Sequence, residues 1–243
     1  MTGRAVTGLA GTGSAPPAAV LLDVNETLTD LSAMGPRFTD VGLDPAQVPT
    51  WFAQTLRDGF ALGIAGRQAP FAEVAGAALT ALLAAARPAA AGPGPGDRAV
   101  GHVLGGFSAL PLHPDVAPGL RALADAGVRV AALTNGSASV NRAALDEAGV
   151  GDLVDPVLSV ADAGVWKPGA AAYRYGLDAL GLPPSAVLMV AVHPWDLDGA
   201  ARCGLATALI ARTPVRVPPY FAAPTLTASG LDDLARRLLT LSR

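Results

Sequence analysis

From Pro111 to the end of the chain, near-continuous apolar runs alternate with stretches whose apolar positions recur at helical spacing. The runs are Val128 to Thr134, Asp155 to Val160, Ala186 to Val192 and Ala206 to Ile210, and the helical patterns include Val116 to Ala126, Ser139 to Ala148 and Ala170 to Leu180. Few folds accept this alternation. A strand that is apolar along its whole length is buried on both faces, and strands separated by helices pair in parallel. One more such strand, Ala18 to Leu22, stands far upstream.

Between that first strand and the alternating region, Ser32 to about Ala109 holds no comparable strand. Trp51 to Gly63 and Phe71 to Ala86 carry apolar residues at helical spacing, which predicts helices. Arg87 to Asp97, with three Pro and three Gly, reads as a loop before a last short helix. The expected architecture is α/β: a Rossmann-like parallel-sheet core over residues 18–31 and 110–243, with an inserted helical cap over 32–109. Residues 1–17, rich in Gly, Ala, Thr and Pro, read as a disordered tail and not as a secretory signal.

Composition narrows the partners. Only 15% of the 243 residues are charged and the net charge is −3, too little positive charge to hold nucleic acid. No apolar run approaches the roughly 18 residues that span a bilayer, so a cytoplasmic protein acting on a small molecule is expected. The single cysteine, Cys203, permits neither an intramolecular disulfide nor a cysteine zinc cluster, and its apolar neighbours predict a buried thiol.

In open α/β sheets, ligands and reacting groups gather beyond the carboxyl ends of the strands. The first strand delivers Asp23 there, followed by the polar loop Val24-Asn25-Glu26-Thr27. Such an Asp either caps the next turn or acts as a nucleophile. Three further segments converge on the same edge: Thr134-Asn135-Gly136-Ser137 after the second strand, Val165-Trp166-Lys167-Pro168 with Tyr173 after the third, and His193-Pro194-Trp195-Asp196 after the fourth.

This constellation resembles the haloacid dehalogenase superfamily, and its L-2-haloacid dehalogenase branch more than its phosphatases. The resemblance runs from about Ala18 to Leu239. It implies that Asp23 is the nucleophile, Thr134 the hydroxyl of the second motif, Lys167 the lysine of the third and Asp196 the carboxylate of the fourth. The implied reaction is hydrolytic dehalogenation of an (S)-2-haloacid to an (R)-2-hydroxyacid through an ester on Asp23, with no metal and no cofactor. Look-alikes commonly dimerise, so a homodimer is an expectation too.

Ester hydrolysis needs a base. The best-known dehalogenases carry Asn and Gly where this chain has Glu26 and His193, while some relatives resemble it and are thought to use a His-Glu pair. A neutral imidazole suits proton abstraction from water, and a carboxylate on its other nitrogen fixes the tautomer. His193 is therefore expected to activate water and Glu26 to orient it, against the alternative of a His satisfied by backbone at a helix start. Thr134, Asn135 and the amides at Val24 and Asn25 are expected to bind substrate, with Thr27 supporting the loop and Trp195 forming a wall. Tyr173 either joins the Lys167 network or simply packs, and Asp196 either pairs with Lys167 or caps a helix.

Two departures weigh on substrate and chemistry. Phosphatases of the superfamily place a second Asp two residues after the nucleophile and an acidic magnesium ligand at the start of the fourth motif. This chain has Asn25 and Ala191 there. Well-studied dehalogenases also carry an Arg after a Trp in the first cap helix, where Phe52 follows Trp51 here. Arg37 and Arg57 are alternative grips, each expected as a solvated surface charge. The competing functions are a phosphatase or phosphonate hydrolase using the same Asp23, and a carboxylate-binding protein without turnover.

Overall fold

The computed structural model describes residues 16–86 and 96–240. Most of the expected tail and of the expected Pro/Gly loop lie outside the described residues.

Strand β1, Ala19–Leu22, is followed by a 3-10 turn at Leu31–Met34 and by α1, Gly35–Asp40. Then come α2, Val48–Ile64, α3, Phe71–Ala85, and α4, Gly96–Phe107. The remainder alternates: α5 (Val116–Asp125), β2 (Arg129–Thr134), α6 (Ala138–Glu147), β3 (Val157–Ser159), α7 (Val160–Ala163), α8 (Ala170–Leu180), β4 (Val187–Ala191), α9 (Pro194–Arg202), β5 (Ala206–Ile210), β6 (Leu226–Ala228) and α10 (Leu231–Thr240).

The six strands form one sheet in the order β3-β2-β1-β4-β5-β6, with every pairing parallel. The order reverses beside β1, so the crevice of the fold opens between the carboxyl ends of β1 and β4. Asp23 follows one of these strands and His193 the other.

Alternate strand residues feed two cores. Leu21, Leu133 and Met189 belong to one, while Val20, Leu22, Val130 and Leu188 belong to the other with α5 and α10. The first core continues from the sheet and α8 into Phe38, Trp51, Phe52 and Phe71 of the inserted helices. Full burial of each such side chain contributes about 1.5–3 kcal/mol, so the insertion is fastened to the sheet by shared apolar area and not by a linker alone. Trp51 also donates its indole N–H to the Ala75 carbonyl at 2.9 Å, tying α2 to α3.

Three departures from the sequence reading have local causes. The third strand ends at Ser159 because its hydroxyl accepts from the Ala161 N–H at 3.2 Å and caps α7, which takes Val160 out of the sheet. The edge strand β6 was not foreseen, since three residues inside a Pro-containing stretch carry too little periodicity to mark a strand. Cys203 is partly exposed and not buried as expected, because it follows α9 at its surface end.

Candidate active site

Asp23 leaves β1 with its backbone N–H bonded to the Val190 carbonyl at 2.9 Å, so sheet pairing itself fixes where its side chain emerges. That side chain is 6% exposed and carries three partners. Lys167 Nζ donates to Oδ1 at 2.7 Å, Thr27 Oγ1 to Oδ2 at 2.6 Å, and His193 Nδ1 lies 3.3 Å from Oδ2. Thr27 thus does more than support the loop. Its hydroxyl bonds the carboxylate directly and accepts the Val192 N–H at 3.0 Å, linking the ends of β1 and β4.

Lys167 is fully buried and bridges two carboxylates, with Asp196 Oδ2 at 2.8 Å. Tyr173, also fully buried, donates to Asp196 Oδ1 at 2.6 Å and places the same oxygen 2.9 Å from the Asp196 carbonyl. Packing alone does not describe it. Gly199 permits this approach, since a Cβ there would lie 2.6 Å from the Tyr173 hydroxyl. Asp196 therefore pairs with Lys167 and positions it.

Burial alone would push the Asp23 carboxyl up, but the Lys167 ammonium and then the His193 bond and charge hold it well below the usual carboxylate range. Lys167 is likewise held above its ordinary value: burial opposes its charge, and Asp196 and Asp23 outweigh burial. Burial pushes Asp196 up, with the Asp23 charge adding to that and Lys167 opposing. Asp23 is thus the more firmly ionised of the two carboxylates.

His193 sits at the start of α9 with no cap bond from its side chain. Its Nε2 is 2.8 Å from Glu26 Oε2, so the ring spans two carboxylates. Its faces are covered as well: Phe52 stacks at 6.3 Å and Trp195 at 5.1 Å between ring centroids. Burial draws the imidazole down, but the bonds and charges of Asp23 and Glu26 prevail and raise it to about 9. The Trp195 face, at 5.1 Å, favours the cationic form too. The backbone-satisfied alternative does not describe this histidine.

Glu26 reaches His193 from an unusual backbone conformation, with φ at 63°. Left-handed geometry costs a non-glycine residue about 1 kcal/mol or more and persists only where surrounding contacts impose it.

A cavity of about 410 Å³ lies beside the loops that follow β1 and β2, and Asp23, Lys167 and His193 are not among the residues that line it. Asn25, Asn135 and Gly136 line its sheet side, and Phe71, Phe107 and Trp166 its helical side. Phe71 stacks on Phe107 at 5.1 Å and on Trp166 at 5.7 Å. These three aromatics were not singled out from sequence as binding residues, although Phe71 and Trp166 stand within stretches that were read.

Other candidates are placed differently from expectation. Asn135 uses both ends of its amide on the Lys167 backbone, accepting its N–H at 2.8 Å and donating to its carbonyl at 3.3 Å. It fixes the lysine segment with one N–H and the oxygen of its amide, while the residue also lines the cavity. Thr134 is fully buried and accepts the Gly136 N–H at 2.9 Å, shaping the second loop. The Val24 side chain packs in the core, so only its backbone serves the loop. Arg37 contacts His102 and Arg57 pairs with Asp58, so neither reaches the centre.

A family model described as haloacid dehalogenase-like hydrolase matches residues 17–204. The chain belongs to the haloacid dehalogenase-like hydrolases. Among curated relatives it is 34% identical over 110 residues to (S)-2-haloacid dehalogenase 4A of Burkholderia cepacia, covering 45% of this chain and 48% of that one. It is 31% identical over 141 residues to (S)-2-haloacid dehalogenase 1 of Pseudomonas sp. (strain CBS-3), covering 58% and 62%. The chain thus spans about half the length of these curated relatives. The structure of L-2-haloacid dehalogenase from Xanthobacter autotrophicus with chloropropionic acid covalently bound superposes with a TM-score of 0.84 at 25% identity, covering 92% of this chain and 98% of that one.

Magnesium, used by phosphatases of this superfamily, does not fit these residues. Asn25 and Ala191 stand where two acidic groups are needed, and the Lys167 ammonium lies between the Asp23 and Asp196 carboxylates. Among the described residues, no three His, Cys, Asp or Glu side chains gather as a metal site, and no helix is long and apolar enough to cross a membrane.

Proposed function

We propose that this hydrolase converts (S)-2-haloacids to (R)-2-hydroxyacids through an ester on Asp23, without a metal. The observation that carries the reading is an ionised, nearly dry carboxylate held between Lys167, Thr27 and His193. A carboxylate held so is a nucleophile toward an sp³ carbon. Asp23 attacks C2 from the side opposite the halogen, the carbon–halogen bond breaks, and the halide departs with the bonding pair, inverting the centre. Residues 32–109 serve as the cap that keeps bulk water from this step.

Hydrolysis then falls to His193 and Glu26. In the resting enzyme the imidazole is protonated, since two carboxylates flank it. Esterification removes the Asp23 charge and leaves Glu26 alone on the ring. The imidazole then releases its proton more readily, by way of the partly exposed Glu26, and becomes a base only once an ester exists. Neutral His193 takes a proton from water as its oxygen attacks the Asp23 carboxyl carbon. Lys167 faces the oxyanion, and the product alkoxide leaves and is protonated, restoring Asp23. The substrate carboxylate meets backbone amides near Asn25, and Phe52, in place of a cap arginine, offers an apolar surface to the carbon chain.

Halide release from (S)-2-chloropropionate tests the reading, run beside p-nitrophenyl phosphate with and without magnesium. Halide with no magnesium requirement is expected. Magnesium-dependent phosphate release without halide would overturn it.

A further inference from the structure

Glu26 is the one non-glycine among the described residues with a left-handed φ. Its peptide is gripped from outside its own loop. His113 Nε2 donates to the Glu26 carbonyl at 3.2 Å, and Arg212 donates to the same carbonyl at 3.4 Å and to the Thr27 carbonyl at 2.9 Å. Arg212 is itself fixed by a two-point pair with Asp115, 2.8 Å on each side, and Asp115 also accepts the Leu231 N–H at 2.7 Å. His113 adds a second attachment, its backbone N–H bonding the Leu28 carbonyl at 2.8 Å.

These contacts have one geometric effect. A Glu peptide free to relax would return to negative φ, swing its Cβ away and carry the carboxylate off His193. On the outer side of Glu26, His113 and Arg212 line a cleft of about 500 Å³, so they brace the loop from the solvent side without facing Asp23.

Resting on the dehalogenase reading, we propose that His113, Arg212 and Asp115 are positioning residues that hold Glu26 in the conformation its bond to His193 requires, and so govern ester hydrolysis but not ester formation. The residues come from two separate parts of the chain: His113 and Asp115 from the segment leading into α5, and Arg212 from just after β5.

The test is rapid-quench kinetics with (S)-2-chloropropionate, following halide release and the mass of the Asp23 ester, for H113L, H113Q and R212M. In H113L and R212M halide release in the first turnover stays within about two-fold of the native rate, while ester hydrolysis slows about ten-fold or more and ester accumulates. His113→Gln, which keeps a donor, recovers most of the loss. Adding H113L to E26Q causes no further slowing. Equal loss in both steps, or multiplying losses in the double variant, would overturn the proposal. Should the native enzyme release no halide, the dehalogenase reading fails, and the His193 titration by NMR still tests the clamp. That titration should shift downward in H113L as Glu26 leaves the ring; an unmoved titration in folded H113L and R212M refutes it.

Discussion

Replacing Asp23 with Asn copies the neutral side chain of the ester intermediate while keeping its size, and so isolates what one charge does to His193. In the native site the Asp23 oxygen lies 3.3 Å from Nδ1, and the imidazole is raised to about 9. At an effective dielectric of about 20, unit charges at that separation interact by about 5 kcal/mol. Lys167 sits 2.7 Å from the other oxygen and draws off part of the field. With about half the interaction surviving, removing the charge lowers the imidazole by about two pH units, into the range where a general base works best at neutral pH. The sign follows from the charge state: an anion beside the ring favours imidazolium, so its loss favours the neutral ring. The assay is an NMR titration of the three histidines, with His193 assigned from the spectrum of H193Q. A His193 that still titrates near 9 in D23N refutes the idea that esterification switches the base on. Consistently, ester hydrolysis in the native enzyme should rise with pH through a value below 9, while ester formation stays flat down to acid pH.

Other outcomes follow from the buried charges. Lys167→Met leaves the Asp23 and Asp196 carboxylates buried without their cation, which destabilises the fold by about 3–5 kcal/mol. Denaturant unfolding measures that loss, and an acid limb should appear in ester formation because Asp23 then protonates at higher pH. Tyr173→Phe removes the short bond to Asp196 and costs about 1–3 kcal/mol of stability. Gly199→Ala should lower stability by a similar amount, since the added methyl displaces the Tyr173 hydroxyl; a G199A protein as stable as the native one in denaturant would show that this contact is dispensable. Chelator treatment should leave halide release unchanged, checked by assay before and after EDTA.

Much of this arrangement was legible because it is written in local pattern. Fully apolar strands declare a two-sided parallel sheet, and a polar residue directly after such a strand must emerge at its carboxyl edge, which places Asp23 and the His193 segment from local pattern alone. The roles of side chains that meet across the chain were less legible. Asn135 was read as a substrate binder alone, and its amide also joins a backbone 32 residues away. Tyr173 sits at a helical position where packing and hydrogen bonding give the same sequence pattern. Only its distance to Asp196 separates them. The Phe52–His193–Trp195 stack joins α2 to the start of α9, a contact set by how the inserted helices dock and not by any motif. Likewise Arg212 and His113 carry no local signature, because their partners in the Glu26 loop are backbone carbonyls.

The central claim is a covalent bond from Asp23 to substrate carbon. A single turnover of (S)-2-chloropropionate in ¹⁸O water with enzyme in excess, followed by mass spectrometry of the peptide bearing Asp23 and of the product, tests it most directly. The account predicts label in the Asp23 carboxylate and unlabelled oxygen in the hydroxyl of the first product. Label in that hydroxyl with none in Asp23 would mean that water attacks the substrate itself, and would contradict it.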